Sequence, residues 1–163
     1  MDKTTSRIAV SGVLAALALI LSYVESLIAI PFAVPGIKLG LANLVIVFAL
    51  YRLDYKYAAM IQIVRVALAA FLFSGFSGLI YSLAGAVLSL IVMIILKLNI
   101  ELSAVTISVC GAVAHIIGQM AVAAFVTDIK AVMFYAPYLL AASLITGAIV
   151  GIVANILITR IKV

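Results

Sequence analysis

Long apolar segments follow one another along almost the whole chain, separated only by short polar turns. About 20 apolar residues in a helix cross a hydrocarbon core of about 30 Å, so segments of this kind predict transmembrane helices. Apolar residues form 69% of the 163 residues and charged residues only 9%, which leaves too few charges to cover a surface that faces water. We therefore predict an all-α integral membrane protein, with a single transmembrane domain over residues 1–163.

Breaks in the apolar pattern divide the chain into six predicted spans. The clearest break lies at residues 31–38, where two prolines and a glycine cannot continue a helix. The second span is short for a full crossing. The predicted helices cover about residues 7–30, 39–51, 57–73, 78–96, 102–126 and 132–159.

The basic residues predict an orientation for this six-helix bundle, because Lys and Arg accumulate in cytoplasmic loops. Of the ten basic residues, seven fall on the side of the termini, two on the opposite side, and Arg65 within a span. Both termini are therefore predicted to be cytoplasmic, in a plasma membrane. The net charge of +5 then reflects topology, and no nucleic-acid partner is expected. The seven are Lys3, Arg7, Arg52, Lys56, Lys97, Arg160 and Lys162, and the two are Lys38 and Lys130.

Polar side chains inside the predicted spans mark a candidate site, because such groups are expensive in a bilayer. A rise of about 1.5 Å per residue places Glu25 about 27 Å and His115 about 21 Å from the inner boundary. Gln119 lies one turn above His115 on the same face. With Asn43 near the outer end of its span and Lys38 in the outer loop, these residues converge on the outer third of the bundle. The convergence favours a polar cavity for a small ligand with polar and apolar parts.

Arg65 is predicted to lie deeper, about 13 Å from the inner boundary, with Gln62 on the same helix face. A direct pair with Glu25 would have to close about 14 Å of depth, so none is assumed. Structural roles as caps or interhelical hydrogen bonds stay open for all these groups. The predicted substrate-binding residues are Glu25, Lys38, Asn43, Gln62, Arg65, His115 and Gln119.

The sequence lacks the patterns that are typical of catalytic and metal sites. Three scattered aspartates cannot form a Mg²⁺ cluster for diphosphate chemistry, and one histidine with one cysteine gives no zinc site. No glycine-rich nucleotide loop occurs, and no nucleophile stands beside an obvious base. We therefore predict a protein that is not an enzyme and carries neither a cofactor nor a metal.

Small residues at four-residue spacing predict faces where helices approach closely. Packing within the chain and docking onto a partner membrane subunit both account for such rows, and the sequence leaves both open. The rows are Ser11 with Ala15, Gly12 with Ala16, Gly78 with Ser82 and Ala86, and Ser143 with Gly147, Gly151 and Asn155.

Two motifs resemble a known prokaryotic membrane family. The first extends from Glu25 to Asn43 and contains PGIKLGLAN at residues 35–43, and the second is GAVAH at residues 111–115 with GQ at residues 118–119. The motifs resemble those of the family labelled heptaprenyl diphosphate synthase component I, or Gx transporter. The resemblance of the chain to this family covers nearly its whole length. That family is similar to the substrate-binding S components of energy-coupling factor transporters.

The resemblance implies a six-helix bundle with a ligand pocket near the outer face. Residues 31–38 would cover it as a lid, and Glu25, Lys38, Asn43, His115 and Gln119 would line or frame it. Docking onto a membrane coupling subunit with ATPases is implied for Ser11, Gly12, Ala15 and Ala16.

The predicted function is thus a membrane-embedded subunit that binds a small molecule for uptake. A non-catalytic accessory subunit in prenyl diphosphate or quinone metabolism, and a stand-alone ion-coupled carrier, are the alternatives. The sequence does not identify the ligand.

Overall fold

A computed structural model of the chain describes residues 3–27, 40–126 and 129–161. All the regular elements within these ranges are helical, in agreement with the predicted all-α class. They are α1 (Lys3–Leu27), α2 (Asn43–Arg52), α3 (Tyr55–Ala69), a π-helical segment (Ala70–Ser74), α4 (Gly75–Asn99), α5 (Ala104–Val126) and α6 (Ile129–Arg160).

Four stretches of the described chain are long and apolar enough to cross a membrane, and they support the predicted membrane class. α2 is not among them, because its ten residues extend only about 15 Å. α3, the π-helical segment and α4 together count as one run of 45 residues. The predicted number of six spans is therefore not confirmed. The four stretches are Thr4–Leu27, Tyr55–Asn99, Ala104–Val126 and Val132–Arg160.

The 45-residue run reverses direction within its length. A straight helix of this length would extend about 67 Å, yet Lys97 near its end donates to the carbonyl oxygen of Leu50, which precedes its start. Gly75 has φ 66° and ψ −174°, a backbone conformation open almost only to glycine. The reversal therefore lies at Gly75, directly after the π-helical segment, and it sets α3 beside α4.

Basic side chains close one end of the bundle. Lys97 reaches the last turn of α2 and lies 5.0 Å from the ring centroid of Tyr51, and Arg52 donates to the carbonyl oxygen of Ile158 in the last turn of α6. Cations at these carbonyls satisfy acceptors that a helix end leaves open and complement its dipole. Arg52, Lys97 and the end of α6 thus share one end, as the charge pattern predicts.

The apolar core surrounds α2, which contacts α1, α3, α5 and α6. A helix that is apolar on all sides is one that the fold encloses. Because lipid is as apolar as a leucine side chain, close packing rather than the hydrophobic effect stabilises such a core. Seven of the ten α2 residues are buried, namely Asn43, Val45, Ile46, Val47, Phe48, Ala49 and Leu50.

Glycines bring α6 close to α5. A Cβ atom on Gly151 would lie 2.7 Å from the Cα atom of Val105, and one on Gly147 would lie 2.9 Å from the Cα atom of Val109. The Ser108 hydroxyl donates to the carbonyl oxygen of Gly147 at 2.8 Å. Gly147 and Gly151 of this row therefore pack within the chain, one of the two interpretations that the sequence leaves open, whereas Asn155 is exposed.

The approach of α4 to α5 predicts a large effect of one methyl group. Gly118→Ala would bring Cβ to 2.6 Å from the carbonyl oxygen of Ala84 and 2.9 Å from the Cα atom of Gly85. Because both are backbone atoms, we expect a loss of about 1–3 kcal/mol in the free energy of unfolding, measured by unfolding of the purified protein in detergent.

Gly12→Ala is the matched control. It makes the same exchange within a helix, but no heavy atom lies within 4 Å of the added Cβ. Alanine is the better helix former by about 1 kcal/mol, so this variant should unfold at an unchanged or higher temperature. Equal effects of the two substitutions would contradict the close approach of α4 and α5.

Candidate functional site

The predicted substrate-binding residues that the structure describes are all buried. Lys38, the seventh of them, and the predicted lid over residues 31–38 lie outside the described residues. Since burying a polar group costs free energy unless it is paired, the contacts of each side chain show what it does. The exposed fractions are 5% for Glu25, 2% for Asn43, 3% for Gln62, 3% for Arg65, 2% for His115 and 0% for Gln119.

Glu25, near the end of α1, fixes the start of α2. Its Oε1 atom accepts from the backbone N–H of Gly40 and, at 3.4 Å, from that of Leu41. Gly40 has φ +89°, which glycine adopts without strain. A carboxylate next to a helix N-terminus is favoured by the helix dipole. Glu25 therefore has a structural role, one of the interpretations that the sequence leaves open.

Arg65 connects three helices through side-chain hydrogen bonds. Its Nη1 atom donates to the hydroxyl of Ser22 on α1 at 3.0 Å, and its Nη2 atom donates to Oε1 of Gln62 at 3.1 Å. The amide nitrogen of Gln62 lies 3.5 Å from the carbonyl oxygen of Ala86 on α4. These contacts join α1, α3 and α4 inside the bundle.

The charges of Arg65 and Glu25 interact. Ser22, which accepts from Arg65, lies three residues before Glu25 and so on the same face of α1. The estimate of about 14 Å in depth used only the helical rise, and the arginine side chain covers part of that depth by reaching α1.

Asn43, His115 and Gln119 meet around two glycines. A Cβ atom on Gly40 would lie 3.0 Å from Nδ2 of Asn43 and 4.0 Å from Cδ2 of His115. On α4, a Cβ atom on Gly85 would lie 2.8 Å from the carbonyl oxygen of His115 and 2.9 Å from Cγ of Gln119. Because neither glycine has a side chain, the start of α2 lies close to α5, and α5 lies close to α4.

Glu25 connects these two groups, because it accepts from Gly40 and interacts with Arg65. The structure thus brings the six described residues into one polar cluster, which we define as Glu25, Asn43, Gln62, Arg65, His115 and Gln119 with Ser22, Gly40 and Gly85.

Three of these members were not predicted from the sequence. Gly40 lies inside the PGIKLGLAN motif, so its place there was an available signal. Ser22 and Gly85 are a small polar residue and a glycine in apolar runs, and nothing in the sequence distinguishes them from packing residues.

Two members of the polar cluster retain hydrogen-bonding capacity. Across the described part of the chain, neither Nδ2 nor Oδ1 of Asn43 has a hydrogen-bond partner, and Nε of Arg65 has none. The same described residues contain no group of three or more His, Cys, Asp or Glu side chains arranged to hold a metal ion. Asn43 thus offers an uncharged donor and acceptor, and Arg65 offers one further donor of its guanidinium group.

An apolar groove of about 130 Å³ lies between α3 and α4. Gln62 is the member of the polar cluster that borders it, and exposed side chains such as Ile63 and Ile91 form its rim. The groove opens to the surface of the bundle rather than over Asn43.

The predicted docking residues divide into two pairs. Ser11 and Ala15 are buried, and the Ser11 hydroxyl donates to the carbonyl oxygen of Arg7 at 2.7 Å. Gly12 and Ala16 are exposed on the opposite side of α1. In this arrangement only Gly12 and Ala16 are accessible to a partner subunit.

Arg65 is expected to stabilise the bundle through its hydrogen bonds and its charge. Arg65→Met removes the donors to Ser22 and Gln62 and the charge that interacts with Glu25, and we expect a loss of about 3 kcal/mol in the free energy of unfolding. Ser22→Ala removes one neutral partner of Arg65 and should cost only about 1 kcal/mol. Glu25→Gln added to Arg65→Met should restore part of the loss. Equilibrium unfolding in detergent compares the wild type, Ser22→Ala, Arg65→Met, Glu25→Gln and the double variant. Additive effects of the Arg65 and Glu25 substitutions within about 0.5 kcal/mol would contradict an interaction between the two charges.

Comparison with known families agrees with the two motifs. A family model described as heptaprenyl diphosphate synthase component I matches residues 14–157, a range that contains the whole polar cluster. No curated protein and no solved structure matches the chain. The chain belongs to the heptaprenyl diphosphate synthase component I family, as the motifs at residues 25–43 and 111–119 predict.

Proposed function

We propose that the chain is a membrane-embedded substrate-binding subunit for the uptake of a small molecule, similar to the S components of energy-coupling factor transporters. The observation that supports it most is the Asn43 amide, which is buried inside an apolar bundle without a hydrogen-bond partner in the described residues. A purely structural polar network would pair such a group. A ligand with polar and apolar parts would supply the missing partner.

Six membrane crossings with both termini in the cytoplasm are part of this proposal. The run Tyr55–Asn99 is about twice as long as one crossing requires and turns at Gly75, so it supplies two crossings. α2 is the second of the six proposed crossings, counted from the N-terminus. Since α2 ends at the basic end with Arg52, its first residue Asn43 lies about 13 Å deeper in the bundle, on the side that this topology assigns to the outer face.

Docking onto a partner subunit is the third part of the proposed function. Gly12 and Ala16 are exposed on α1 between larger apolar side chains, and small residues permit the close approach of a helix from another subunit. A membrane coupling subunit with ATPases is the proposed partner.

The family description favours a second candidate. A component of a heptaprenyl diphosphate synthase suggests a non-catalytic accessory subunit. Co-purification with a prenyl synthase rather than with an ATPase module would favour this candidate. A stand-alone ion-coupled carrier would instead transport ligand into liposomes without any partner.

Ligand binding is the first test of the proposal. We expect native mass spectrometry of the gently extracted protein to detect a bound small molecule, and a metabolite extract to raise the unfolding temperature. His115→Ala, in the polar cluster, should weaken binding by about tenfold, the value of one hydrogen bond. Ile117→Ala, on the exposed side of the same helix, is the control and should leave binding unchanged. The absence of both a bound molecule and a thermal shift would contradict the proposal.

Cysteine labelling tests the topology. In a Cys110→Ala background, Ser77→Cys and Glu101→Cys put single thiols at exposed positions near the two ends of α4. Six crossings require a membrane-impermeant maleimide to label intact cells at position 77 and not at position 101. Labelling of both or of position 101 alone would contradict the proposed orientation.

A further inference from the structure

The hydrogen-bonding groups that the polar cluster leaves unused are mainly those of a carboxamide. We infer that Asn43 binds a neutral cyclic amide or ureide edge of the ligand, rather than an anionic group. This inference rests on the proposed function and names the chemical class of its ligand.

The Asn43 side chain is not needed for the start of α2. The backbone N–H of Asn43 already donates to the carbonyl oxygen of Gly40 at 2.9 Å, and the residue that caps α2 is Ala42, without a side-chain bond. The residues that follow Asn43 in α2 are apolar up to Leu50. An apolar side chain of the same shape would avoid burying an unpaired amide, so local structure does not explain the asparagine.

Gly40 keeps space open beside the amide. A Cβ atom at this position would lie 3.0 Å from Nδ2 of Asn43. A side chain here would therefore occupy the place of a ligand that is hydrogen-bonded to Nδ2. Cδ2 of the His115 ring lies 4.0 Å from the same point. The absence of a side chain at Gly40 therefore leaves free the place beside the amide that a Cβ atom would take.

The charges of the described cluster are already balanced. Both η nitrogens of Arg65 are engaged by Ser22 and Gln62, and its charge interacts with Glu25. The backbone N–H groups of Gly40 and Leu41, which would otherwise attract an anion to the α2 N-terminus, donate to Glu25. A diphosphate requires several cations or free N–H groups. Within the described residues, therefore, the uncharged amide of Asn43 is the side chain with both a donor and an acceptor left for a ligand.

The geometry of a carboxamide determines its complement. Asparagine presents an N–H donor and a carbonyl acceptor side by side in one plane, so its partner needs an acceptor beside a donor. An open-chain secondary amide is trans and directs these groups to opposite sides, whereas a ring amide or ureide holds them on the same side. Asparagine recognises the edge of adenine through the same kind of complementarity.

Stability distinguishes this role from a structural one. Asn43→Leu removes an amide that has no partner in the described residues, so the ligand-free protein should unfold at an unchanged or higher temperature. Gln62→Leu is the matched control, since its amide bonds Arg65 and Ala86, and it should lower the unfolding temperature. If Asn43→Leu destabilises the protein as much as Gln62→Leu, the amide is structural and the inference is overturned.

Binding tests the chemical class directly. Uracil, 2-imidazolidinone and 2-pyrrolidone carry the edge, and their counterparts with every ring nitrogen methylated have all donors blocked. By saturation-transfer NMR we expect at least one parent ring to bind the wild-type protein. Both N-methylation and Asn43→Leu should weaken it by roughly 5- to 150-fold, the range of a bidentate amide contact.

The outcomes separate this inference from the proposed function. If native mass spectrometry finds a bound molecule but no parent ring binds, or Asn43→Leu leaves ring binding intact, the inference fails and the proposed function stands. Preferential binding of inorganic diphosphate would overturn the inference as well. If neither a bound molecule nor any ring is detected, both fail.

Discussion

The carboxylate of Glu25 is the charge on which the polar interior of this bundle depends. It accepts the backbone N–H groups that precede α2 and faces the guanidinium of Arg65, which in turn holds α1, α3 and α4 together. Buried charges are tolerated only when they are paired and hydrogen-bonded. One carboxylate meets both requirements within the described cluster, where the groups left without a partner include the amide of Asn43 and Nε of Arg65.

The two ends of α2 are fixed in different ways. At its first turn a carboxylate from α1 accepts N–H groups, and at its last turn the ammonium group of Lys97 donates to a carbonyl. Both contacts agree with the polarity of the helix dipole. A short helix that is apolar on every side has little amphipathic preference of its own. Charged contacts at its ends therefore determine its depth and hold Asn43 at a constant level in the bundle.

The sequence was sufficient for the class, for most helix boundaries and for six members of the cluster, because uncompensated polar groups in apolar runs are visible without a structure. It was not sufficient for distances. Helical rise gives the depths of Glu25 and Arg65 but not the reach of the arginine side chain toward α1, and the predicted six spans are not confirmed, since α2 has only ten residues. Gly85 was missed for a related reason, since its role lies in the space it leaves for His115.

The turn at Gly75 also bears on how the chain enters the bilayer. From residue 66 to residue 96 the sequence contains no Asp, Glu, Lys or Arg, so a hairpin of α3 and α4 can insert without moving a charge across the full thickness of the hydrocarbon. Its two helices are adjacent in sequence and meet through a turn of one glycine, which keeps the loop-closure entropy small. Insertion of this hairpin as a unit would leave Arg65 as the single charge to be matched, and α1, which is made earlier, already carries its carboxylate partner.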